Sequence, residues 1–382
     1  MNEINKTFTN KIEDIFLKNL NQNKNDDFLK NNSQKIISKK SSAKKISIDI
    51  ANKNINNFLE NNIAVAVSGG CDSLALLMLI VDYFLVNKNY QITLHILTID
   101  HKIRKNSSSE AKKLQKLLKD ILQNFPSHLK FHHRIIAIPK NKIPQKNIEA
   151  KLRELRYQIM IDYCKKNLIS SIFLGHHLGD IAENFLIRLF RGSSIEGLSS
   201  INEINEIDQI TLIRPLLNFH KNQLKEYLIS KNISWFEDET NDDEKFLRNK
   251  IRNFLASFPD ENLLQNRLKN TADYFLKMRE FFDEKTHIEK SRITQLNPDG
   301  SWIIDHHELK KLPQELALKI VGEILISVGK QIYKPRREKL LRFYEYIFSS
   351  DKLKPRNFYR CMLKQVNDQQ ILIFPENNKI IN

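Results

Sequence analysis

Residues 63–73 read IAVAVSGGCDS and run straight into the apolar stretch LALLMLI. The first five residues form a continuous apolar run, too short for a stable helix and bounded by turn-forming residues. That predicts a strand buried on both faces. From Ser73 to about Val86 the apolar density is sustained long enough for a helix. A strand that hands over to a helix through two adjacent glycines opens a βαβ unit and commits the chain to a parallel sheet. Glycine is scarce here, nine in 382 residues, so a pair at this turn marks a backbone that needs a positive φ or a close approach. At the carboxyl edge of such a sheet, the N–H groups of the turn and the positive end of the helix can hold phosphate oxygens. The turn Ser68-Gly69-Gly70-Cys71-Asp72-Ser73 is none of the commoner glycine motifs. No lysine follows as in GxxxxGK[ST], and neither GxGxxG nor GxSxG fits. Cys71 has no base beside it in sequence to make it a nucleophile.

The alternation continues downstream. ITLHILTID (92–100), FHHRIIAI (131–138) and SIFLG (171–175) read as further strands. Helices are expected from about Ser109, over 148–167, and from Asp180. This is the pattern of a doubly wound, Rossmann-like α/β domain, which we place at 48–255. After about 255 the alternation stops. Helices are expected over 260–290, 312–328 and 335–349, then two short strands around an Asn-Asp turn in 357–376. Residues 256–382 are therefore a smaller, mainly helical domain with a short β segment. Residues 1–47, rich in Asn, Lys and Ser, read as a low-complexity extension carrying at most one weakly amphipathic helix (Ile12, Ile15, Phe16, Leu20).

The formal net charge of +16 suits a polyanionic partner such as RNA. An Asn-, Lys- and Ile-rich composition also raises basicity by itself, so charge alone does not decide. Cys71, Cys164 and Cys361 lie far apart and form no CxxC pair, which fits a reducing compartment, the cytoplasm. The pairs His132-His133, His176-His177 and His306-His307 lack metal-site spacing to other ligands. No signal or transit peptide is evident at the start, and the apolar run 74–86 is short and broken by Asp82, so no membrane span is expected.

SGGxDS after a buried strand resembles the PP-loop of the ATP pyrophosphatases. Five further blocks narrow the resemblance: DHKIR (100–104), LRELRY (152–157), GHHLGDIAENFLIRLFRGSSIEGLSS (175–200), RPLL (214–217) and WFEDETNDDEKFLRNKIR (235–252). Together, in this order, they closely resemble the tRNA(Ile)-lysidine synthetases. Six of the nine glycines fall in the loop and these blocks. The resemblance implies that ATP adenylates O2 of the first anticodon cytidine in tRNA(Ile) with a CAU anticodon. Free L-lysine then attacks C2, giving lysidine, AMP and pyrophosphate by a carbon–nitrogen ligase reaction. It also implies Mg²⁺ as cofactor and leaves a homodimer open.

Carried onto this sequence, Ser68, Gly69, Gly70, Cys71, Asp72, Ser73 and Arg104 are expected to bind the nucleotide. Asp72 and Asp180 are expected to hold the metal, and Asp180, His176 and Asp72 to be catalytic. The chain departs from the family where two consecutive acids are usual and Gly179-Asp180 stands instead. A longer family form has a further C-terminal domain not expected here. On a helix starting near Asp180, the residues Asp180, Asn184, Arg188 and Arg191 should share one face, with Ile181, Phe185, Leu186 and Leu189 turned to the core. Asp180 would also serve as an ordinary acid at a helix start. Arg153, Arg156 and Tyr157 share a helix face suited to phosphate or to an ion pair. The block Asp238, Asn241, Arg248, Asn249 and Arg252 would fix a domain junction or touch tRNA. Two other readings stay open: a PP-loop tRNA thiolase, and a non-catalytic RNA-binding protein with a degenerate nucleotide site.

Overall fold

A computed structural model describes residues 3–15, 62–87, 91–100, 107–123, 125–139, 148–237, 247–331, 334–349 and 354–376. These divide into two compact units, Met1–Ser193 with Ser200–Asp273, and Ser194–Ser199 with Tyr274–Asn382. The division falls at 273/274 rather than the expected 255/256, because the first turns of a long helix belong with the site described below.

The first unit begins with α1 (residues 3–15), then β1 (Asn62–Ala66), α2 (Cys71–Val86), β2 (Ile92–Asp100), α3 (Ser107–Leu122) and β3 (Leu129–Ala137). It continues with α4 (Ile148–Lys166), β4 (Ser171–Phe173) and α5 (Leu178–Phe190). After α6 (Ile195–Leu198), which belongs to the second unit, come β5 (Ile204–Ile207), β6 (Ile210–Ile213), α7 (Lys221–Ser230) and α8 (Leu247–Ala256). The sheet order is β3-β2-β1-β4-β6-β5, parallel throughout except for the edge strand β5. The doubly wound parallel sheet is therefore as expected. The sequence reading missed β5 and β6, two four-residue strands.

Alternation along β1 explains the two layers. Ile63 and Val65 are fully buried in a cluster with α2 and α3, and Ala64 in a second cluster with Met160, Ile161 and Cys164 of α4. Strand order reverses between β1 and β4, and in such sheets the crevice beyond the carboxyl ends at that point is where ligands bind. The turn after β1 and the turn after β4 both open there.

One expectation is corrected. The start of the chain is not outside the fold, because Phe8, Ile12 and Ile15 recur at i, i+4, i+7 on α1 and are 1%, 2% and 0% exposed in the main core. That stripe is a core-facing helix face, although its surroundings are rich in Asn and Lys. The remaining residues of the segment, Phe16 and Leu20 among them, lie outside the described residues.

Asp82, which breaks the apolar run of α2, has a structural reason. Its carboxylate accepts from Asn5 Nδ2 at 2.9 Å, Tyr227 Oη at 2.8 Å and Lys231 Nζ at 2.8 Å, tying α1 and α7 to α2. Burial and the neighbouring carboxylate raise the Tyr227 hydroxyl well above its ordinary range, so it remains a donor. Asp82→Ala should lower unfolding stability by about 3 kcal/mol, since it strands a buried hydroxyl and an ammonium. Urea denaturation would measure this, and a loss under about 0.5 kcal/mol would contradict it.

The second unit contains the rest of α9 (Glu261–Ile293), then β7 (Thr294–Leu296), β8 (Trp302–Asp305), α10 (His306–Lys311), α11 (Gln314–Gly329) and α12 (Arg337–Ile347). It ends with β9 (Arg356–Phe358), β10 (Cys361–Gln365) and β11 (Gln370–Pro375). The β segment is a five-stranded antiparallel sheet, β7-β8-β11-β10-β9, larger than the two strands expected. Among the described residues no helix is long and apolar enough to cross a membrane.

Candidate active site

The turn after β1 is closed by its own serines. Ser73 Oγ donates to the Gly70 carbonyl at 3.0 Å and accepts from the Ser68 amide at 3.1 Å, and it lies 3.2 Å from Ser68 Oγ. Gly70 is the N-cap of α2 and offers no side-chain cap, so the first N–H groups of this helix remain directed at the crevice. A cavity of about 190 Å³ opens here. Ser68, Gly70, Asp72, Ser73 and His176 form its polar lining, while Leu97, Ile99, Met160 and Leu174 form its apolar lining, with Arg156 and Tyr157 alongside. A polyphosphate at the turn and a flat base on the apolar wall are the ligand chemistry this lining suits.

Cys71 is buried, and burial, assisted by Asp72, pushes its thiol up to about 11. Burial likewise raises Cys164 and Cys361 to about 12. None of the three offers a thiolate near neutral pH.

β4 delivers the two histidines. Arg153 Nη2 lies 3.3 Å from His176 Nε2. Arginine is only a donor, so Nε2 accepts and the proton sits on Nδ1, which is buried with no hydrogen-bond partner among the described residues. Burial first, then the Arg153, Arg214 and Arg156 charges, lower His176 to about 3 against the opposing pull of Asp180. His176 is thus a neutral ring presenting an unpaired N–H. That suits holding a phosphate oxygen better than taking up a proton.

His177 was not singled out from sequence, yet it organises the centre. It is the N-cap of α5 in a capping box: its Nδ1 accepts from the Gly179 amide at 3.0 Å, and its own amide donates to Asp180 Oδ2 at 3.0 Å. Its other nitrogen, Nε2, therefore carries the proton and lies 3.7 Å from Asp72 Oδ2 and 3.8 Å from Asp180 Oδ2. The two predicted carboxylates are thus brought to one imidazole. The same ring accounts for Gly179: a Cβ there would stand 2.7 Å from His177 Cε1, so the acid usual at this position would displace the imidazole.

Burial pushes the Asp180 carboxyl up, but His177, His176, the His177 amide and Arg248 outweigh it and hold it at about 2. His176 is neutral above about pH 4 and drops out of this balance there, which leaves His177, its amide and Arg248. Asp180 is an ionised anchor, too weak a base to take a proton near neutrality.

α5 also carries a residue the sequence reading passed over. Glu183 is 6% exposed and meets Arg252 Nε at 2.6 Å and Arg248 Nε at 3.1 Å. The two arginines from the polar block are therefore part of the site, and Arg248 Nη2 also lies 3.4 Å from Asn184 Oδ1. Ile181, Phe185 and Leu186 are buried as expected, but Leu189 is 46% exposed, since α5 leaves the core before its last turn. Arg188 and Arg191 lie on the exposed last turn and C-cap of α5. Arg104, His101, Asp238 and Asn241 fall outside the described residues, and Asp100 is buried at the end of β2.

A second cavity, about 290 Å³, is lined by His177, Gly179 and Glu183 of the α5 start, Lys221 and Lys225 of α7, Arg252 and Asn253 of α8, and Glu261 and Gln265 of α9. Asp72 faces the first cavity and His177 the second, so the two meet across the 3.7 Å contact.

Comparison with known proteins gives the family. The PP-loop domain family model matches residues 43–258. A tRNA(Ile)-lysidine synthase of Wolbachia pipientis wMel is 30% identical over 324 residues, covering 85% of this chain and 72% of that protein. Those of Orientia tsutsugamushi (strain Boryong) and Rickettsia felis are each 32% identical, over 331 and 343 residues, covering 84% and 85% of this chain and 71% and 73% of theirs.

Proposed function

Because the chain belongs to the tRNA(Ile)-lysidine synthase family of PP-loop proteins, we propose that it modifies tRNA(Ile) at the expense of ATP, as a carbon–nitrogen ligase. The CAU anticodon supplies the cytidine. Its O2 attacks the α-phosphorus of ATP and pyrophosphate leaves. The ε-amine of free L-lysine then attacks C2, and AMP departs with the former O2. The observation that carries this reading is the junction of the two cavities at Asp72, His177 and Asp180: a cavity at the glycine turn on one side, a charged chamber on the other, and two carboxylates against one imidazole between them.

The loop amides, the Ser68 and Ser73 hydroxyls and the start of α2 grip the β,γ-pyrophosphate and leave the α-phosphate near His176 and Arg156. Asp72 and Asp180 are the side chains that would hold Mg²⁺. Asp72 Oδ1 is buried without a hydrogen-bond partner among the described residues, a cost that a cation removes. Two carboxylates suffice for Mg²⁺ when phosphate oxygens and water complete the shell. When bound, the ion supplies charge neutralisation at the phosphates. The second cavity suits lysine, a zwitterion with an extra ammonium: Glu183 and Glu261 face its ammonium groups, and Lys221, Lys225 and Arg252 its carboxylate. Asp180 draws the ε-ammonium toward the junction electrostatically.

The test is AMP release from ATP in the presence of tRNA(Ile) transcript. Release that requires both the tRNA and free lysine is the expected result. Release that requires a sulfur donor instead would mean a thiolase, and tRNA binding without AMP would mean a binding protein. The buried, high-pKa cysteines favour the first. Within this reading, Glu183→Gln should raise the KM for lysine roughly tenfold, the worth of one charge-assisted contact, and leave the KM for ATP within about twofold. Equal shifts in both constants would place Glu183 outside the lysine site.

A further inference from the structure

The Gly69–Gly70 peptide is held from outside the loop. The main-chain amide of Phe236, 167 positions downstream, donates to the Gly69 carbonyl at 3.0 Å. Gly69 has φ +91°, and a Cβ on it would stand 2.7 Å from Phe236 Cδ2, so loop and ring are fitted to each other. A trans peptide is planar, with its C=O and N–H pointing opposite ways. If the Gly69 carbonyl points at Phe236, the Gly70 N–H points away from it, toward the first cavity that Gly70 lines. That N–H is 3.4 Å from Ser68 Oγ, a long contact that a phosphate oxygen can replace.

An outside clamp is needed here because a glycine pair resists rotation poorly. With no Cβ on either side, the peptide can turn over at little cost and present its carbonyl to the cavity. A carbonyl in that place repels phosphate; an N–H binds it. The clamp is itself anchored. Ile233 is buried, its amide donates to Leu228 O at 3.0 Å at the end of α7, and α7 is tied to α2 through Tyr227 and Asp82. The loop, its helix, α7 and residues 233–236 therefore form a closed circuit.

We infer that the Phe236 main-chain amide is a positioning group for the nucleotide: it fixes the Gly69–Gly70 peptide with its N–H toward the phosphates. This rests on reading the first cavity as the ATP seat. The decisive substitution replaces residue 236 by the α-hydroxy acid analogue of phenylalanine through nonsense suppression. The ring stays and N–H becomes O. The KM for ATP should rise roughly tenfold, as expected for one misdirected hydrogen bond to a charged group. The kcat at saturating ATP should change less than threefold, and the KM for lysine should not move. Phe236→Ala keeps the amide and loses the ring, so its KM for ATP should rise less than that of the ester. A wild-type KM in the ester variant, while Ser73→Ala weakens ATP, overturns the positioning role and leaves the nucleotide seat standing. Wild-type ATP affinity in both overturns the seat and the proposal together. Should the ester variant not fold, amide exchange in the native protein decides. A protected Phe236 N–H, slowed further by a non-hydrolysable ATP analogue, is expected. Exchange at the rate of an open loop overturns the inference.

Discussion

Asp180→Asn is expected to give a folded protein that binds tRNA normally yet forms lysidine and AMP at least about 100-fold more slowly, the usual cost of removing a preorganised charge at a reacting centre. The capping box makes this substitution discriminating. Asp180 Oδ2 accepts the His177 amide at 3.0 Å, and an asparagine oxygen can accept the same bond. If Asp180 only closed the helix start, Asp180→Asn would be nearly silent and Asp180→Ala would cost about 1 kcal/mol of stability. If its charge serves the reaction, both variants lose turnover, and only the alanine also loses stability. Lysidine formation at saturating substrates, set beside a thermal melt, separates the two patterns. Near-normal turnover in Asp180→Asn would leave Asp72 as the acting carboxylate. The pH dependence has a definite sign. The folded value of about 2 lies below the unfolded one near 3.9, so the ionised group stabilises the fold above about pH 4, and that contribution fades as pH falls toward 2. Asp180→Asn should therefore flatten the acid limb of the stability curve, and any activity limb between pH 5 and 8 must come from another group.

How much of this was legible depends on sequence distance. The strand, glycine turn and helix at 62–86 are local, and their order places the turn at the sheet's carboxyl edge without further information. Where the strand order reverses, between β1 and β4, is known only from the pairing. What sequence could not give are the contacts made across it. Glu183 reads as one more polar residue on an amphipathic helix, because the arginines that bury it arrive 65 and 69 positions later. Of two adjacent histidines, the one that reaches both carboxylates is the one at the helix start, a distinction that needs the backbone turn at 176–178. The first turns of α9 look like the beginning of another domain. Gln265 nonetheless lines the cavity beside Gly179, and Asn266 Nδ2 lies 3.2 Å from His220 Nε2.

The start of the chain gives the largest stability effect. Read as low-complexity sequence, it would be dispensable, and its removal would leave ATP turnover unchanged. The buried stripe of α1 reverses that expectation. A chain beginning at residue 16 loses Phe8, Ile12 and Ile15, each worth about 1.5–3 kcal/mol of burial, so the total is roughly 5 kcal/mol after allowing for a compact unfolded state. Domains are stable by only about 5–15 kcal/mol, so the truncated protein should be insoluble or only partly folded at 37 °C. The loss extends beyond area. Removing Asn5 deprives the buried Asp82 of a donor, removing Lys11 takes away an ion-pair partner of Glu203, and Phe219, which meets the Phe8 ring at 6.4 Å, is bared to water. A single substitution isolates the packing term: Ile12→Asp keeps the chain length but places a carboxylate at a position 2% exposed, and should lower the unfolding free energy by more than 3 kcal/mol. Because α1 packs behind α2, whose first turn is the proposed phosphate seat, the same variant should weaken ATP before the protein unfolds outright. A thermal midpoint within about 2 °C of the native protein, in both the truncation and Ile12→Asp, would show that α1 does not dock in solution.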